Sequence, residues 1–390
     1  MIYSCNFTYH AYFTVFQQFG DEAAMAQSMP FIALGATLLL STFSRCSAEN
    51  VYCVRPTLAP NTLCSSCPHS DTPCATLSEY AQDAEQYFTS NTTMVFLPGD
   101  HTLDVNFTVA NISRLTLCGQ SSLSHVTTVV CNGAVGFSFV TIFDFQIHSV
   151  SFTSCGRNFG SPEVSKYALL LESIGFAELV NTSFHDNLGT ALVVRNTNIA
   201  LADNTFTHNH CDQEGIIPGT ACVGGGGISA LDSSLTLTGN TSFLQNNATF
   251  GSAGIHVTNC SLTSTGNIYF TDNSNTAGAS DETLAAAAIW ASSSSLSFTG
   301  TSNFTSNFAS SGGAGYIEYT TLAFTGTTNF INNSASSGSG GAIGTRYNVS
   351  LSFNGTSNFI HNSVQCEPGD HGGGGAIFCK SQLSIEFYWY

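Results

Sequence analysis

Apolar residues in this chain fall in short alternating groups, each bounded by turn-forming residues, and not in the 3.6-residue stripes of helices. Leu296-Ser-Phe-Thr-Gly-Thr-Ser-Asn-Phe304-Thr-Ser-Asn307 aligns without gaps on Leu322 to Asn333 and on Leu351 to Asn362. The shared unit is L-x-F-x-G-T-x-N-F-x-x-N. Weaker copies end at Phe184 to Asn187, Phe206 to Asn209, Phe243 to Asn246 and Phe270 to Asn273, and an outlying one is Phe152-Thr-Ser-Cys155. From Phe152 to Phe359 the spacings are 32, 22, 37, 27, 34, 26 and 29 residues, so loops of differing length project from a constant frame. Each unit closes on small residues: Gly224 to Ile228, Gly251 to Ile255, Ala285 to Ile289, Gly312 to Tyr316, Gly340 to Ile343 and Gly372 to Ile377.

Three short pieces per unit, L-x-F, x-F-x-x and G-A-I, predict three strands. One such coil cannot bury its own inward face. Coils stacked at the strand spacing of ~4.8 Å can, which predicts an all-β, right-handed parallel β-helix with Leu, Phe and Ile columns inside. The Asn three residues after each motif Phe (Asn187, Asn209, Asn246, Asn273, Asn307, Asn333 and Asn362) reads as structural. Placed in a bend it tolerates a left-handed backbone, and stacked copies bond one another in a ladder. None of them begins a glycosylation sequon.

At the front, Thr76-Leu-Ser-Glu79 has the form of a capping box. It leads into Leu77, Tyr80, Ala81, Ala84, Tyr87 and Phe88 at helical spacing, which predicts an amphipathic helix over 76–93 that covers the open end of the first coil. Met94 to Leu97, Phe107 to Val109 and Arg114 to Leu117 would form that coil. The expected organisation is a leader and signal peptide at 1–48, a Cys/Pro-rich segment at 49–75, the capping helix, and the β-helix over 94–390. The last segment, Leu383 to Tyr390, reads as a further coil left incomplete, as in a truncated chain or gene model.

Composition narrows the function. Lys and Arg total 8 against 25 Asp and Glu, a net charge of -17, so nucleic acid and anionic bilayers are excluded as partners. The longest apolar run, Pro30 to Phe43, is short for a bilayer span of ~20 residues, so no integral membrane span is expected. It reads as a signal-peptide core, with Cys46-Ser47-Ala48 meeting the small-residue cleavage rule. No Lys or Arg precedes it, which points to Met25 or Met29 as the start; the competing reading is a buried helix. Extracellular or cell-surface localisation follows.

Cysteine usage agrees with export. Beyond the proposed cut, twelve Cys remain, an even number compatible with full pairing. Cys53, Cys64, Cys67 and Cys74 read as a small disulfide knot; Cys64-x-x-Cys67 lacks the second pair that a zinc site needs. Cys211 is expected to pair with Cys222 and Cys366 with Cys379, each stapling an enlarged loop. Sequons stand at Asn91, Asn106, Asn111, Asn181, Asn240, Asn247, Asn259, Asn303, Asn332, Asn348 and Asn354.

Phe-x-x-Asn followed by Gly-Gly-Ala-Ile resembles the repeat of the chlamydial polymorphic outer-membrane proteins and of related secreted β-helix proteins in animals such as sponges. The likeness covers roughly residues 150 to 380. It implies a pectin-lyase-like right-handed β-helix displayed outside the cell, with adhesive roles in the bacterial members. The chain departs from it in lacking a C-terminal β-barrel, in Ala285 to Ile289, which replaces the glycines, and in Cys155, which replaces Asn.

The chemistry of a polysaccharide lyase or glycoside hydrolase needs convergent carboxylates, or carboxylates holding a metal beside a base. The residues before the motif Asn run Asp186, His208, Gln245, Asp272, Ser306, Asn332 and His361, with no carboxylates on adjacent coils. Lys166, Arg195, Arg346 and Lys380 are scattered. His208-Asn-His210-Cys211 is the best metal candidate and reads instead as solvated surface. No catalytic, cofactor-binding or metal-binding residue is assigned, and no cofactor is expected. The expected function is a structural or adhesive β-helix protein without catalytic activity, its partner an extracellular glycan or protein; the alternative is a lyase or hydrolase of the pectin-lyase-like superfamily.

Overall fold

The computed structural model describes residues 50–57, 74–88, 90–120, 126–132, 136–156, 167–211, 224–276, 285–336, 340–365, 374–379 and 383–387. The leader, Cys64, Cys67, Cys222, Cys366, Lys166 and Lys380 lie outside them.

Strands gather into parallel sheets of 13, 10, 10 and 6 members. A coil visits them in a fixed order: the glycine sheet, which follows the small-residue stretch, then the long sheet, the phenylalanine sheet and the short sheet. One full coil runs Ile255–Thr258, Ser261–Ser264, Asn267–Thr271 and Ser274–Asn275. Its strands pair in register with the next coil, Ile255 on Ile289, Leu262 on Leu296 and Phe270 on Phe304. Every strand pairing among the described residues is parallel, and each strand neighbours its counterpart one coil away. The fold is therefore a right-handed parallel β-helix, that hand being the one parallel crossovers adopt.

The unit holds one strand more than the periodicity predicts. A two-residue strand follows the motif Asn, as at Asn247–Ala248, Phe308–Ala309 and Ser334–Ala335. Two residues are too few to show an alternation, so the sequence reading merged this strand with the turn.

Alternate residues of each strand turn inward, as the pleat requires. In Ser295–Phe298, for example, Leu296 and Phe298 are buried while Ser295 is exposed. The motif Phe rings stack from Phe152 to Phe359 with centroids 4.6 to 5.1 Å apart and planes within 12° of parallel. Leu235, Leu262, Leu296, Leu322 and Leu351 form a buried column on the long sheet. The repeat in sequence thus becomes a repeat of identical contacts.

At the N-terminal end the Thr76 capping box is formed, and helix α1 (Leu77–Gln82) is followed by a short α2 (Ala84–Tyr87). Tyr80 packs edge-on against Tyr52 and Tyr87, and Phe88 against Phe107, which covers the first coil with aromatic edges. The helical stripe ends before residue 93, because Asn91 already opens a strand. Upstream, Asn50–Val54 lies on Asn91–Phe96 and beside Cys74–Ala75, so the long sheet reaches into the Cys/Pro-rich segment. Arg114–Gly119 lies on Asn91–Phe96 and so belongs to the second coil, not the first.

Candidate functional site

The seven motif Asn side chains meet in one buried column. Asn187 Nδ2 donates to Asn209 Oδ1 at 2.8 Å, and equivalent bonds of 2.9 to 3.1 Å run through Asn246, Asn273, Asn307 and Asn333 to Asn362. Each Nδ2 from Asn187 to Asn362 also donates to the carbonyl of the motif Phe one coil back. Each Oδ1 in turn accepts a backbone N–H from the preceding coil, as Asn333 does from Asn307. Within the column one amide side chain thus satisfies four main-chain or side-chain groups, at a corner where the strand ladder is interrupted.

The left-handed backbone sits one residue earlier than expected. Asp186, His208, Gln245, Asp272, Ser306, Asn332 and His361 have φ between 52° and 56°. The Asn itself is turned inward, so the bend that aims it must be made by its predecessor, and that exposed site accepts many residue types.

Cys155 stands at the head of the ladder, its N–H donating to Asn187 Oδ1 at 2.9 Å. Its sulfur is bonded to Cys131, 24 residues away on the previous coil, a pairing the sequence spacing did not suggest. Cys211 is disulfide-bonded, as are Cys53, Cys74 and Cys118. The partners expected for Cys211 and Cys379, Cys222 and Cys366, lie outside the described residues. Full pairing does not hold, since Cys260 is a free buried thiol.

Cys260 has a structural place. At the corner between the glycine sheet and the long sheet, the N–H of Ile174 donates to Thr197 Oγ1, Thr197 to Ser233 Oγ, Cys260 to Ser294 Oγ and Ser294 to Thr320 Oγ1, at 3.0 to 3.2 Å. The hydroxyls donate onward to the carbonyl two residues back, and Cys260 Sγ does the same to Thr258 at 3.1 Å. This second ladder escaped sequence reading. Its signal is a left-handed residue followed by Ser, Thr or Cys, as in Asn196-Thr197, Asp232-Ser233 and Asn259-Cys260.

The sequon residues Asn106, Asn111, Asn181, Asn240, Asn259, Asn332 and Asn348 are exposed, while Asn91, Asn247, Asn303 and Asn354 are partly buried. Asn247 Oδ1 is buried without a partner. His208 is exposed on the ladder corner, where its Nε2 lies 2.6 Å from Gln245 Oε1. Among the described residues no three His, Cys, Asp or Glu side chains are grouped to hold a metal. Arg195 and Arg346, scattered in sequence, each lie directly across from a glutamate of the adjacent coil, Glu172 and Glu318.

Two outward features stand apart from this frame. The first is a row on the glycine sheet, where Ser229, His256, Trp290 and Tyr316 follow one another in register. The His256 and Trp290 rings stack at 4.2 Å, and His256 Nδ1 and Trp290 Nε1 are buried without partners. Burial pushes the His256 imidazole down to about 4, against the pull of the Gly224 backbone.

The second lies on the long sheet of the early coils. Arg114, Asp144 and Phe176 are in register across Arg114–Gly119, Asp144–His148 and Phe176–Val180, and Thr116, Gln146 and Glu178 are in register two residues further on. Arg114 Nε donates to Asp144 Oδ2 at 2.7 Å, and Gln146 Nε2 reaches Asp144 Oδ1 at 3.4 Å. Asp144 and Glu178 thus place carboxylates on adjacent coils. The column before the motif Asn, where such pairs were sought, lacks them.

Phe176 is 45% exposed and Phe143, beside Asp144, is 78% exposed. Gly175 makes room for Phe143: an added Cβ would sit 2.6 Å from the Phe143 carbonyl oxygen and 3.4 Å from its ring.

No family model matches the chain, and no curated protein does. Among solved structures it is similar to pectate lyase Pel9A, with 11% identity, a TM-score of 0.38, and 85% of this chain and 83% of that one covered. It is also similar to the Agl-KA catalytic domain, with 11% identity, a TM-score of 0.32, and 93% of this chain and 70% of that one covered. Likeness at this level has no bearing on the chemistry of this chain.

Proposed function

We propose that this chain is an extracellular or cell-surface structural and adhesive β-helix protein without catalytic activity, its partner an extracellular glycan or protein. The observation that carries the reading is the continuous amide column from Asn187 to Asn362 under a stack of seven Phe-to-Phe contacts. Such a column locks each coil to the next with main-chain precision, which suits a stiff rod that holds its outer faces at fixed positions. Export is supported by the apolar run at Pro30 to Phe43, the sequons and the Cys131–Cys155 bond, since disulfides persist in oxidising compartments. The resemblance of Phe-x-x-Asn and Gly-Gly-Ala-Ile to the repeats of polymorphic outer-membrane proteins supports an adhesive role.

The second reading, a polysaccharide lyase or glycoside hydrolase, is favoured by one observation, the Asp144 and Glu178 carboxylates on adjacent coils beside Arg114. Glycan-array binding by the secreted protein, run alongside uronic-acid lyase and hydrolase assays, separates the two. Binding with no turnover supports the adhesive reading, and turnover abolished by Glu178→Gln overturns it.

A further inference from the structure

We infer that Phe143, Phe176, Arg114, Asp144, Gln146 and Glu178 form a saccharide-binding site that takes a neutral, extended hexose chain; this deepens the adhesive reading and rests on it. The polar positions occupy three adjacent strands and two alternate residues, a patch of roughly 10 by 7 Å given a strand spacing of ~4.8 Å and a rise of ~3.3 Å per residue. Arg114, Asp144, Gln146 and Glu178 point outward, with Leu115, Phe145 and Ala177 between them buried; Thr116, the remaining position of the patch, is covered.

Three features of this patch point to sugar. First, sugars combine apolar C–H faces with rings of hydroxyls, so their sites pair exposed aromatic rings with a few placed polar groups. Phe176, 45% exposed, lies on the strand face across from Asp144, and Phe143, 78% exposed, stands in the bend just before Asp144. Gly175 lets the Phe143 backbone approach closely, since an added Cβ would sit 2.6 Å from its carbonyl oxygen.

Second, the polar set offers both kinds of partner. Asp144 and Glu178 accept from hydroxyls in charge-assisted bonds, and Arg114 and Gln146 donate to ring and glycosidic oxygens. Arg114 and Gln146 are already held against Asp144, at 2.7 and 3.4 Å, so their donors are positioned before a ligand arrives.

Third, charge selects against acidic polymers. One guanidinium faces two carboxylates in the patch, and the chain as a whole carries -17. An oligouronate would bring further negative charge to a negative surface, whereas a neutral chain brings none. The outward long-sheet positions of the following coils, Ser234, Ser261, Ser295 and Thr321 with Thr236, Thr263, Ser297 and Ala323, are uncharged. A chain leaving the patch along the helix axis therefore meets hydroxyls and methyl groups.

The test is calorimetric titration of the whole secreted protein with a cello-oligosaccharide, a chito-oligosaccharide and an oligogalacturonate, with product analysis in each case. The neutral oligomers are expected to bind and the galacturonate not to. Phe143→Ala and Glu178→Gln are each expected to weaken binding about tenfold, roughly 1.4 kcal/mol, with the melting temperature unchanged. Tyr319→Ala, which removes an exposed ring from the same corner six coils further along, is expected to leave it within twofold. Absence of neutral-sugar binding, or binding indifferent to both patch variants, overturns the site while leaving a protein-adhesive role standing. Cleavage of a bound oligomer overturns the non-catalytic reading and leaves the site in place.

Discussion

The coils before Cys155 and those after it solve the same packing problem with different chemistry. At the corner entering the long sheet, the early coils turn Ile112 and Ile142 inward and Ile174 follows one coil past Cys155, while the later ones turn Thr197, Ser233, Cys260, Ser294 and Thr320 inward and bond them from coil to coil. The early aromatic contacts are irregular, Phe107 tilted at 49° to Phe137 and Phe137 nearly perpendicular to Phe152. Beyond Phe152 every motif ring lies flat on the next. The Cys131–Cys155 bond stands where one regime gives way to the other.

The difference teaches how register is held. Apolar packing tolerates several arrangements of similar energy, so the early coils rely on a covalent tie and on aromatic edges under the capping helices. A buried amide ladder tolerates one arrangement, because any slip strands buried donors and acceptors. Outward chemistry on the long sheet divides one coil further on: Arg114, Asp144, Glu178 and exposed Phe side chains up to Val180, mostly uncharged small residues after it.

The comparison breaks most visibly at its covalent junction. Replacing both Cys131 and Cys155 with Ser frees a loop 24 residues long and is expected to cost roughly 3 to 4 kcal/mol, read as a lowered denaturation midpoint. The same loss appearing in wild type under reducing conditions assigns it to this bond and to the other disulfides together; only the double variant isolates it. A variant as stable as wild type would mean the early coils hold register without a tie.

A pH series sharpens the contrast next. His256 is held near 4 in the fold against 6.5 for the ordinary imidazole, so as pH falls below about 6.5 the unfolded chain takes up its proton first. Stability therefore drops between about pH 6.5 and 4 and levels off below. Burial lowers His101 in the early coils as well, with the same sign. With the imidazole buried, the expected loss is about 2 to 3 kcal/mol. His256→Phe, which keeps a ring on Trp290, should remove that part of the slope; an unchanged slope would place the acid sensitivity elsewhere.

The smallest effect expected is at Cys260. Since its neighbours in the corner column are Ser and Thr, Cys260→Ser supplies the hydroxyl that the column uses and should change stability by less than about 0.5 kcal/mol. Ile142→Ser, at the equivalent early corner, removes a buried apolar side chain from the core and should cost about 2 kcal/mol or more. Equal losses at the two positions would erase the distinction between the regimes.

The sequence makes the stacked frame legible where one residue type recurs in one role. Phe152 to Phe359 and the Leu column announce parallel coils because a β-helix turns sequence repetition into spatial stacking. The left-handed site is displaced by one residue because Asn marks the corner while its varied predecessor, from Asp186 to His361, makes the bend. The hydroxyl column is hidden because Ser and Thr are common throughout the chain, so Thr197 or Ser294 carries no signal alone. The Arg114, Asp144 and Glu178 patch was not legible at all. It arises from strands that lack the motif, brought together by register across 30 and 32 residues of sequence.

The central claim is that the inward Asn, and not the bend residue beside it, holds successive coils together. Adjacent substitutions in the same unit test it under one set of conditions, by denaturant unfolding of Asn333→Ala and Asn332→Gly. Asn333 is fully buried, accepts from Asn307, and donates to Asn362 Oδ1 and to the Phe304 carbonyl, so its loss strands several buried partners. The account predicts a loss of about 2 to 4 kcal/mol for Asn333→Ala. For Asn332→Gly, at an exposed site with φ 56°, it predicts a change within about 0.5 kcal/mol. Equal losses for the two, or a larger one at Asn332, would contradict it.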